Sequence, residues 1–532
     1  MRKIFYLILL ISIVVASSCK KTSTVNPNNG TDGGNTTVDA PSKQGTTLDL
    51  IRDSVFLYAK EAYYWNDGLP TYASFKPRTY TGTDDLDALS NEVDAISQIV
   101  KNPATGEAYE YYANARGHAK YSFIDEGDVS AELNGVKGDF GFAPLYNGIN
   151  DLRVKYVYPG SPADIAGIKR GYQIVSINGR NNISYDAGSG GSGANVNFVI
   201  NAYAYSSNIT MTLKKPDGTT FDVNMTTASY TANPVLKYQV YDLGNNKKVG
   251  YIVFNSFTSN ANAKPKLDEA FTYFSSQGIT DLVVDLRYNG GGYVSTAEYL
   301  SNMIVPASKD GSVMYYTYFN TTLISGNAKI LKNQVRRDAT SGQLYNYSQF
   351  DYSVEGNKVD FSKANVPVNL NLSNIFFIVT SSTASASELT INNLKGALPS
   401  AVKLIGSTSY GKPVGFFDID INKYQMYIPE FETKNSLQQG GYYAGMTPGT
   451  PDYPGVNDDD DVTRDFGDPT EVLLAHALNY VKNGTFNVPG QQIQSLSNSR
   501  TMSIEQENEA AIQLDKGKFR GMIYNKPLKL KK

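Results

Sequence analysis

A chain of 532 residues exceeds what a single hydrophobic core sustains, so about three folded bodies are expected. Its 48 basic and 51 acidic residues leave a formal charge of -3 with no basic block, which excludes nucleic acid as an expected partner. One cysteine rules out an intrachain disulfide and a cysteine-built metal site, and two histidines leave little material for a histidine-based catalytic triad.

Taken in chain order, Arg2 and Lys3 precede an apolar run over 4–15. The run is too short to cross a bilayer as a mature helix and suits the hydrophobic part of a secretory signal. Ala16, Ser17, Ser18 and Cys19 follow. Small residues ending in cysteine resemble a bacterial lipobox, although Ala16 stands where leucine is commoner. The resemblance implies a signal peptide over 1–18 and a lipid on the Cys19 thiol. It also implies a place in the bacterial cell envelope, periplasmic or cell-surface, with membrane contact through the anchor. A plain secreted or unprocessed form is the alternative. Residues 19–45 carry NPNNGTDGGNTT, cannot build a core, and read as a flexible tether.

From Thr46 the pattern turns helical, with Leu48, Ile51, Val55, Tyr58 and Ala59 at helical spacing before Trp65. A second helix is expected around 86–100, followed by a tyrosine-rich patch over 109–112. Residues 46–127 therefore read as a small helical N-terminal domain, with His118 a surface or capping residue. Over 128–235 the chain becomes β-rich, with strands expected at 154–157, 208–213 and 220–223 and a helix near 196–204. Gly138, Asp139, Phe140, Gly141 and Phe142, with the run PGSPADIAGIKRGYQIVSINGR from Pro159, resemble a PDZ domain. Tyr172 and Gln173 depart from that pattern by replacing an acidic residue. The resemblance implies that Gly138, Phe140, Gly141 and Phe142 receive a peptide C-terminus while an open strand edge accepts the peptide. The run AGSGGSG over 187–193 reads as a flexible insertion.

Residues 236–485 alternate between apolar runs and helical patterns. Strands are expected at 250–254, 281–286, 375–379 and 402–405, and helices at 266–274, 294–303 and from Ala386 through Leu389 and Leu394 to Ala397. Continuous apolar strands between helices indicate a partly parallel sheet buried on both faces. Residues 314–352 form a polar, tyrosine-rich excursion, and 415–419 with 425–431 read as a hairpin. The acidic run 458–461 lacks the spacing of a calcium loop and reads as a solvated loop. His476, in a helix over 471–478, reads as structural. The extension 486–532 says little about function.

Two stretches carry chemistry. TSSTASASE, ending at Glu388, places hydroxyl residues at a strand-to-helix junction, where free N–H groups suit an oxyanion. DLRYNGGG, 285–292, puts glycines directly after a strand, where the backbone can approach a ligand closely. Taken locally, the first is ordinary helix capping and the second a tight turn. Together, Ser385-Ala386-Ser387-Glu388, the later Gly411-Lys412 and the glycine run resemble the C-terminal processing, or tail-specific, serine peptidases. That resemblance implies an α/β crotonase-like (ClpP-like) peptidase core beside the PDZ-like and helical domains. It implies Ser385 as nucleophile, Lys412 as general base, and the N–H groups of Ala386, Gly291 and Gly292 as the oxyanion hole, with Ser387 and Glu388 in support. Phe416 stands where some members carry a glutamine that orients the base, so a third member is unassigned.

The scarcity of histidine agrees with a Ser-Lys arrangement. A lysine titrates near about 10.4 in water and must be lowered to roughly 7–8 to serve as a base. Tyr410, Pro413, Val414 and Phe416 around Lys412 suit that, with no carboxylate within four residues. The expected activity is endopeptidase cleavage of protein or peptide substrates, with no cofactor and no metal. A catalytically inactive peptide-binding scaffold lipoprotein is the alternative. A glycan-handling surface protein lacks the flanking carboxylate pair it would need.

Overall fold

The computed structural model describes residues 40–188, 191–337, 342–489, 502–515, 519–525 and 529–531. The expected signal peptide, Cys19 and nearly all of the tether lie outside the described residues.

The central element is a six-stranded sheet in the order Gly455–Asn457, Val402–Gly406, Asn374–Val379, Asp281–Asp285, Lys248–Phe254, Val235–Asp242. The first five strands run parallel and the last is antiparallel. Alternate side chains divide between two cores. Ile252, Leu282, Val284, Ile375, Phe377 and Leu404 pack under the helices Asn260–Gln277, Val294–Ile304 and Ala386–Ala397. Val253, Val283, Phe376, Ile378 and Ile405 pack under Val472–Asn483 through Leu473, Leu474 and Ala477. Burial on both faces explains why these strands read as unbroken apolar runs.

The expectation of a crotonase-like (ClpP-like) core is corrected. The chain builds one twisted, mostly parallel sheet between helical layers. A separate four-stranded antiparallel sheet, Val359–Asp360, Val313–Phe319, Phe431–Asn435 and Val414–Gly415, stands beside it. The excursion after Gly311 thus supplies a strand that pairs with Phe431–Asn435. The expected hairpin over 415–431 is broken. Ile419–Ile421 and Tyr424–Tyr427 pair around Asn422, which sits at a left-handed φ of 60°. Val414–Gly415 instead pairs with Phe431–Asn435.

The N-terminal helices Thr47–Ala62 and Asp85–Ser97 bury Val55, Phe56, Ala59, Leu89 and Val93 in the same cluster as the sheet. The first begins with a capping box, Thr46 with Asp49. The strand Phe123–Asp125 then adds to Tyr424–Tyr427, so the N-terminal segment is stitched into the core.

The five-stranded antiparallel sheet Phe142–Gly148, Asp151–Val157, Gln173–Ile177, Asn208–Lys214 and Thr220–Thr226 has its own core, closed by the helix Ala194–Ile200. Arg170 fastens it to the main sheet. Its guanidinium donates to Asp460 Oδ1 (2.8 Å), the Tyr288 hydroxyl (2.6 Å) and the Lys155 carbonyl (2.8 Å).

Candidate active site

Ser385 ends the connection after the strand Asn374–Val379 and begins the helix Ala386–Ala397. Its φ of 57° is a backbone state that residues with a Cβ rarely adopt, and such strain persists only where neighbours enforce it. Three bonds enforce it here. The Ala384 N–H donates to the Asn289 carbonyl (3.0 Å), the Ser387 hydroxyl donates to the same carbonyl (3.0 Å), and the Ser385 N–H donates to Glu388 Oε2 (2.8 Å). Ser385 is fully buried, and its Oγ has no hydrogen-bond partner. Ala386 is the first residue of the helix, so its N–H has no intrahelical acceptor and points out of the helix N-terminus.

Glu388 joins this turn to the lysine loop. Its Oε2 also accepts the Lys412 N–H (2.8 Å), while Oε1 accepts the Gly411 N–H (2.7 Å) and the Ser409 hydroxyl (2.5 Å). The backbone nitrogens of Ser385 and Lys412 therefore converge on one carboxylate oxygen. Burial pushes the Glu388 carboxyl above its ordinary range, while the four donors oppose that rise. Gly411 holds the loop at φ 82°, and an added Cβ would meet the Tyr443 carbonyl at 2.4 Å.

Lys412 is fully buried, and burial lowers it well below the usual lysine range, with Lys120 acting in the same direction and Glu110 and Glu388 opposing. Its Nζ lies 3.8 Å from the centre of the Phe416 ring and donates to the Arg520 carbonyl (2.7 Å) and, at 3.5 Å, to that of Tyr121. It makes no hydrogen bond to Ser385 Oγ. Phe416 thus floors the amine where an orienting glutamine was the family expectation.

The glycine run sits against this junction. Arg287 anchors it, donating to Asp285 (2.7 Å), Glu471 (2.9 Å) and Asp460 (2.6 Å) while almost wholly buried. Gly291 has φ 110°, and the point where its Cβ would stand is 3.1 Å from the Ala386 nitrogen and 2.2 Å from the Gly521 carbonyl oxygen. The Gly291 N–H donates to Asn289 Oδ1 (2.9 Å), and Gly292 lies in a parallel ladder opposite Met522. The expected oxyanion residues Ala386, Gly291 and Gly292 are brought together, with the glycine loop engaged by the chain's own C-terminal segment.

Several residues of the site went unread in the sequence. Tyr121 donates its hydroxyl to the Gly411 carbonyl (2.6 Å), and Lys120 Nζ reaches the carbonyls of Gly411 (3.3 Å) and Tyr443 (3.0 Å). Burial lowers Lys120 to about 8. Glu110 is buried among donors from Tyr63, Tyr121 and Ser122, and burial raises it. Burial also pushes Glu430 well up, and its Oε1 is unpartnered. A cavity of about 240 Å³ opens beside Lys120, Ser382, Ser409 and Tyr410, walled on its far side by Ile512 and Arg520.

The acidic run is not a solvated loop. Asp458 is buried and accepts from His476 Nε2 (2.9 Å), and Asp460, set between Arg170 and Arg287, is held down to about 2. Among the expected peptide-binding residues, Phe140 and Phe142 are buried, and the Gly141 N–H is taken by Asp139 (2.8 Å). Gly141 has φ 83°, and a Cβ there would strike Ser161.

Residues 248–433 match peptidase family S41, and residues 153–187 match a PDZ domain. The chain is 29% identical over 223 residues to a carboxyl-terminal-processing protease of Picosynechococcus sp., covering 40% of this chain and 50% of that one. It is 27% identical over 304 residues to a chloroplastic C-terminal processing peptidase of Tetradesmus obliquus, covering 54% and 55%. The chain spans about half the length of these curated relatives. Among solved structures it resembles a protein assigned to the S41 proteases from Bacteroides fragilis NCTC 9343, with a TM-score of 0.54 at 21% identity over 84% of this chain and 99% of that one. That likeness fixes the fold as the S41 and PDZ architecture and overturns the crotonase-like expectation. Residues 248–433 of this chain thus form a region similar to peptidase family S41, and residues 153–187 one similar to a PDZ domain.

Proposed function

We propose that the protein is a serine endopeptidase that cuts polypeptides with Ser385 as nucleophile and Lys412 as base. The single observation that carries this reading is the convergence of the Ser385 and Lys412 N–H groups on Glu388 Oε2. It ties the turn of a strained serine with an unpaired hydroxyl to the loop of a lysine whose titration burial lowers well below the usual range. In acylation the Lys412 amine takes the Ser385 proton as Oγ adds to the scissile carbonyl. The ammonium then protonates the leaving amine as the carbon–nitrogen bond breaks. Water repeats the exchange in deacylation and releases the new carboxyl end. The Ala386 N–H and the glycine loop hold the oxyanion. In this geometry Lys412 Nζ must give up the Arg520 carbonyl and turn to Ser385 Oγ. The PDZ domain, by this reading, engages the substrate's C-terminal end. Residues 1–18 act as an export signal and Cys19 as a lipid attachment site, placing the enzyme in the cell envelope.

Incubation with an unfolded protein such as reduced casein tests the reading. Fragments should appear with the unsubstituted chain and disappear with Ser385→Ala and Lys412→Ala. A second reading, a peptide-binding scaffold without catalysis, is favoured by the Lys412 bond to Arg520 in place of Ser385. Persistent absence of fragments from every chain, with retained peptide binding, would select it.

A further inference from the structure

The C-terminal segment lies on both surfaces that a peptide would use. Its helix, Ile504–Leu514, packs between the strand Phe142–Gly148 and the helix Ala194–Ile200 of the PDZ domain. Met502, Ala510 and Leu514 are buried in one cluster with Phe140, Phe142, Val196 and Val199. Tyr185 donates to Glu509 (3.1 Å), and the Tyr203 hydroxyl donates to the Leu514 carbonyl. Asp515 closes the helix with an ion pair to Lys155 at 2.8 Å, both groups nearly inaccessible.

A few residues on, Gly521–Ile523 runs as a strand parallel to Gly291–Tyr293. The Gly521 N–H donates to the Gly290 carbonyl (2.9 Å). On the other edge the Phe416 N–H donates to the Met522 carbonyl (2.9 Å) and the Tyr524 N–H to the Phe416 carbonyl (2.7 Å). The strand is hydrogen-bonded on both sides, as an inserted peptide is in strand addition. Met522 is fully buried, and Phe519 and Ile523 pack with Tyr121, Val414, Phe416 and Tyr427. The Lys412 amine is occupied by the Arg520 carbonyl, and Ser385 is sealed from solvent.

We propose that residues 502–515 and 519–524 are built-in ligands of the two peptide-receiving surfaces, and that a substrate enters by replacing residues 519–524 as a strand between the glycine loop and Phe416. The second half rests on the reading of Ser385 and Lys412 as the catalytic pair. The favoured substrate is an extended peptide with apolar side chains at the places of Phe519, Met522 and Ile523. Because helix and strand are tethered through Asp515 and Arg520, binding at the PDZ surface loosens the strand in the cleft. The occupant competes at the high effective concentration of a tethered segment.

The test uses the full chain carrying Ser385→Ala, so that catalysis cannot intrude. A fluorescent peptide of sequence FRGMIYN, copying 519–525, is titrated into it with and without Asp515→Ala and Met522→Asp. Those substitutions remove the ion pair and place a charge in the Met522 seat, and binding should tighten about tenfold or more. Equal binding, with hydrogen exchange at the Phe416 amide showing that the strand has left, would overturn the proposal. If the substituted chain does not fold, the unsubstituted chain decides: excess peptide should speed exchange at Gly521 and Tyr524, and unchanged exchange at saturation would overturn it. With Ser385 restored, the released chain should hydrolyse peptides about tenfold faster or more. Tighter binding without hydrolysis in any chain supports the built-in ligand and removes the peptidase reading, and with it the substrate half of the inference.

Discussion

Glu388→Gln is the substitution whose consequence can be worked most closely. The carboxylate accepts four donors, two on each oxygen: Ser385 and Lys412 N–H on Oε2, Ser409 Oγ and Gly411 N–H on Oε1. A glutamine amide offers one acceptor oxygen, so its NH2 must confront one of the two pairs. Two charge-assisted bonds are lost at about 1.5–3 kcal/mol each, or about 3–6 kcal/mol in a site with no water to compensate. Local opening at the affected pair should rise by about a hundredfold to ten-thousandfold. Native-state hydrogen exchange reads this directly. Either Ser385 and Lys412 accelerate together, or Gly411 accelerates while those two do not. Unchanged protection at all three amides would refute the claim that Glu388 ties the two loops together.

Lys412 should impose a pH dependence on hydrolysis. Only the uncharged amine is a base, and burial holds its titration well below about 10.4, so activity should be present at neutral pH and fall on acidification. Between the lowered value and the ordinary one the unfolded chain binds the extra proton, so stability should rise with pH across that window, and Lys412→Met should flatten the rise. Asp460 gives a slope of the same sign in a far more acid window. Its value of about 2 contributes stability that is present above about 3.9 and lost as pH falls toward 2. Asp460→Asn should cost about 3–5 kcal/mol at neutral pH by leaving Arg170 and Arg287 short of a counter-charge, seen as a lower melting temperature that falls less steeply between pH 4 and 2 than that of the unsubstituted chain. Gly291→Ala places a methyl 2.2 Å from the Gly521 carbonyl oxygen, and faster exchange at Gly521 and Tyr524 should report the expelled strand.

The legible parts of the chain were those whose signal is local. The strands ending at Phe254, Asp285, Val379 and Gly406 are buried on both faces, so composition alone marks them. The serine junction and the glycine run each lie in a single short stretch, and the structure sets them side by side. Strand order is different, because it is decided by contacts between distant segments; the same alternation of strands and helices was compatible with the wrong architecture. The floor of the site was hidden for that reason too. Glu110, Lys120 and Tyr121 reach Lys412 and Gly411 across nearly three hundred residues and belong to no motif. Asp460 looked like one of four exposed acids because its two arginine partners come from different domains. Glu430, buried and with Oε1 accepting no bond, takes the Phe417 N–H on its other oxygen where the expected hairpin divides into two short pairings. On the C-terminal helix Ala510 and Leu514 are buried against Phe142, Val196 and Val199, partners hundreds of residues away that no local pattern announces.

The claim on which the account depends is that an uncharged Lys412 activates Ser385. Covalent labelling by a fluorophosphonate, mapped by mass spectrometry in the unsubstituted and the Met522→Asp chains, tests it most directly. The account predicts one adduct, on Ser385, that Lys412→Ala removes as completely as Ser385→Ala does. An adduct on any other serine, or one on Ser385 that survives the loss of Lys412, would contradict it.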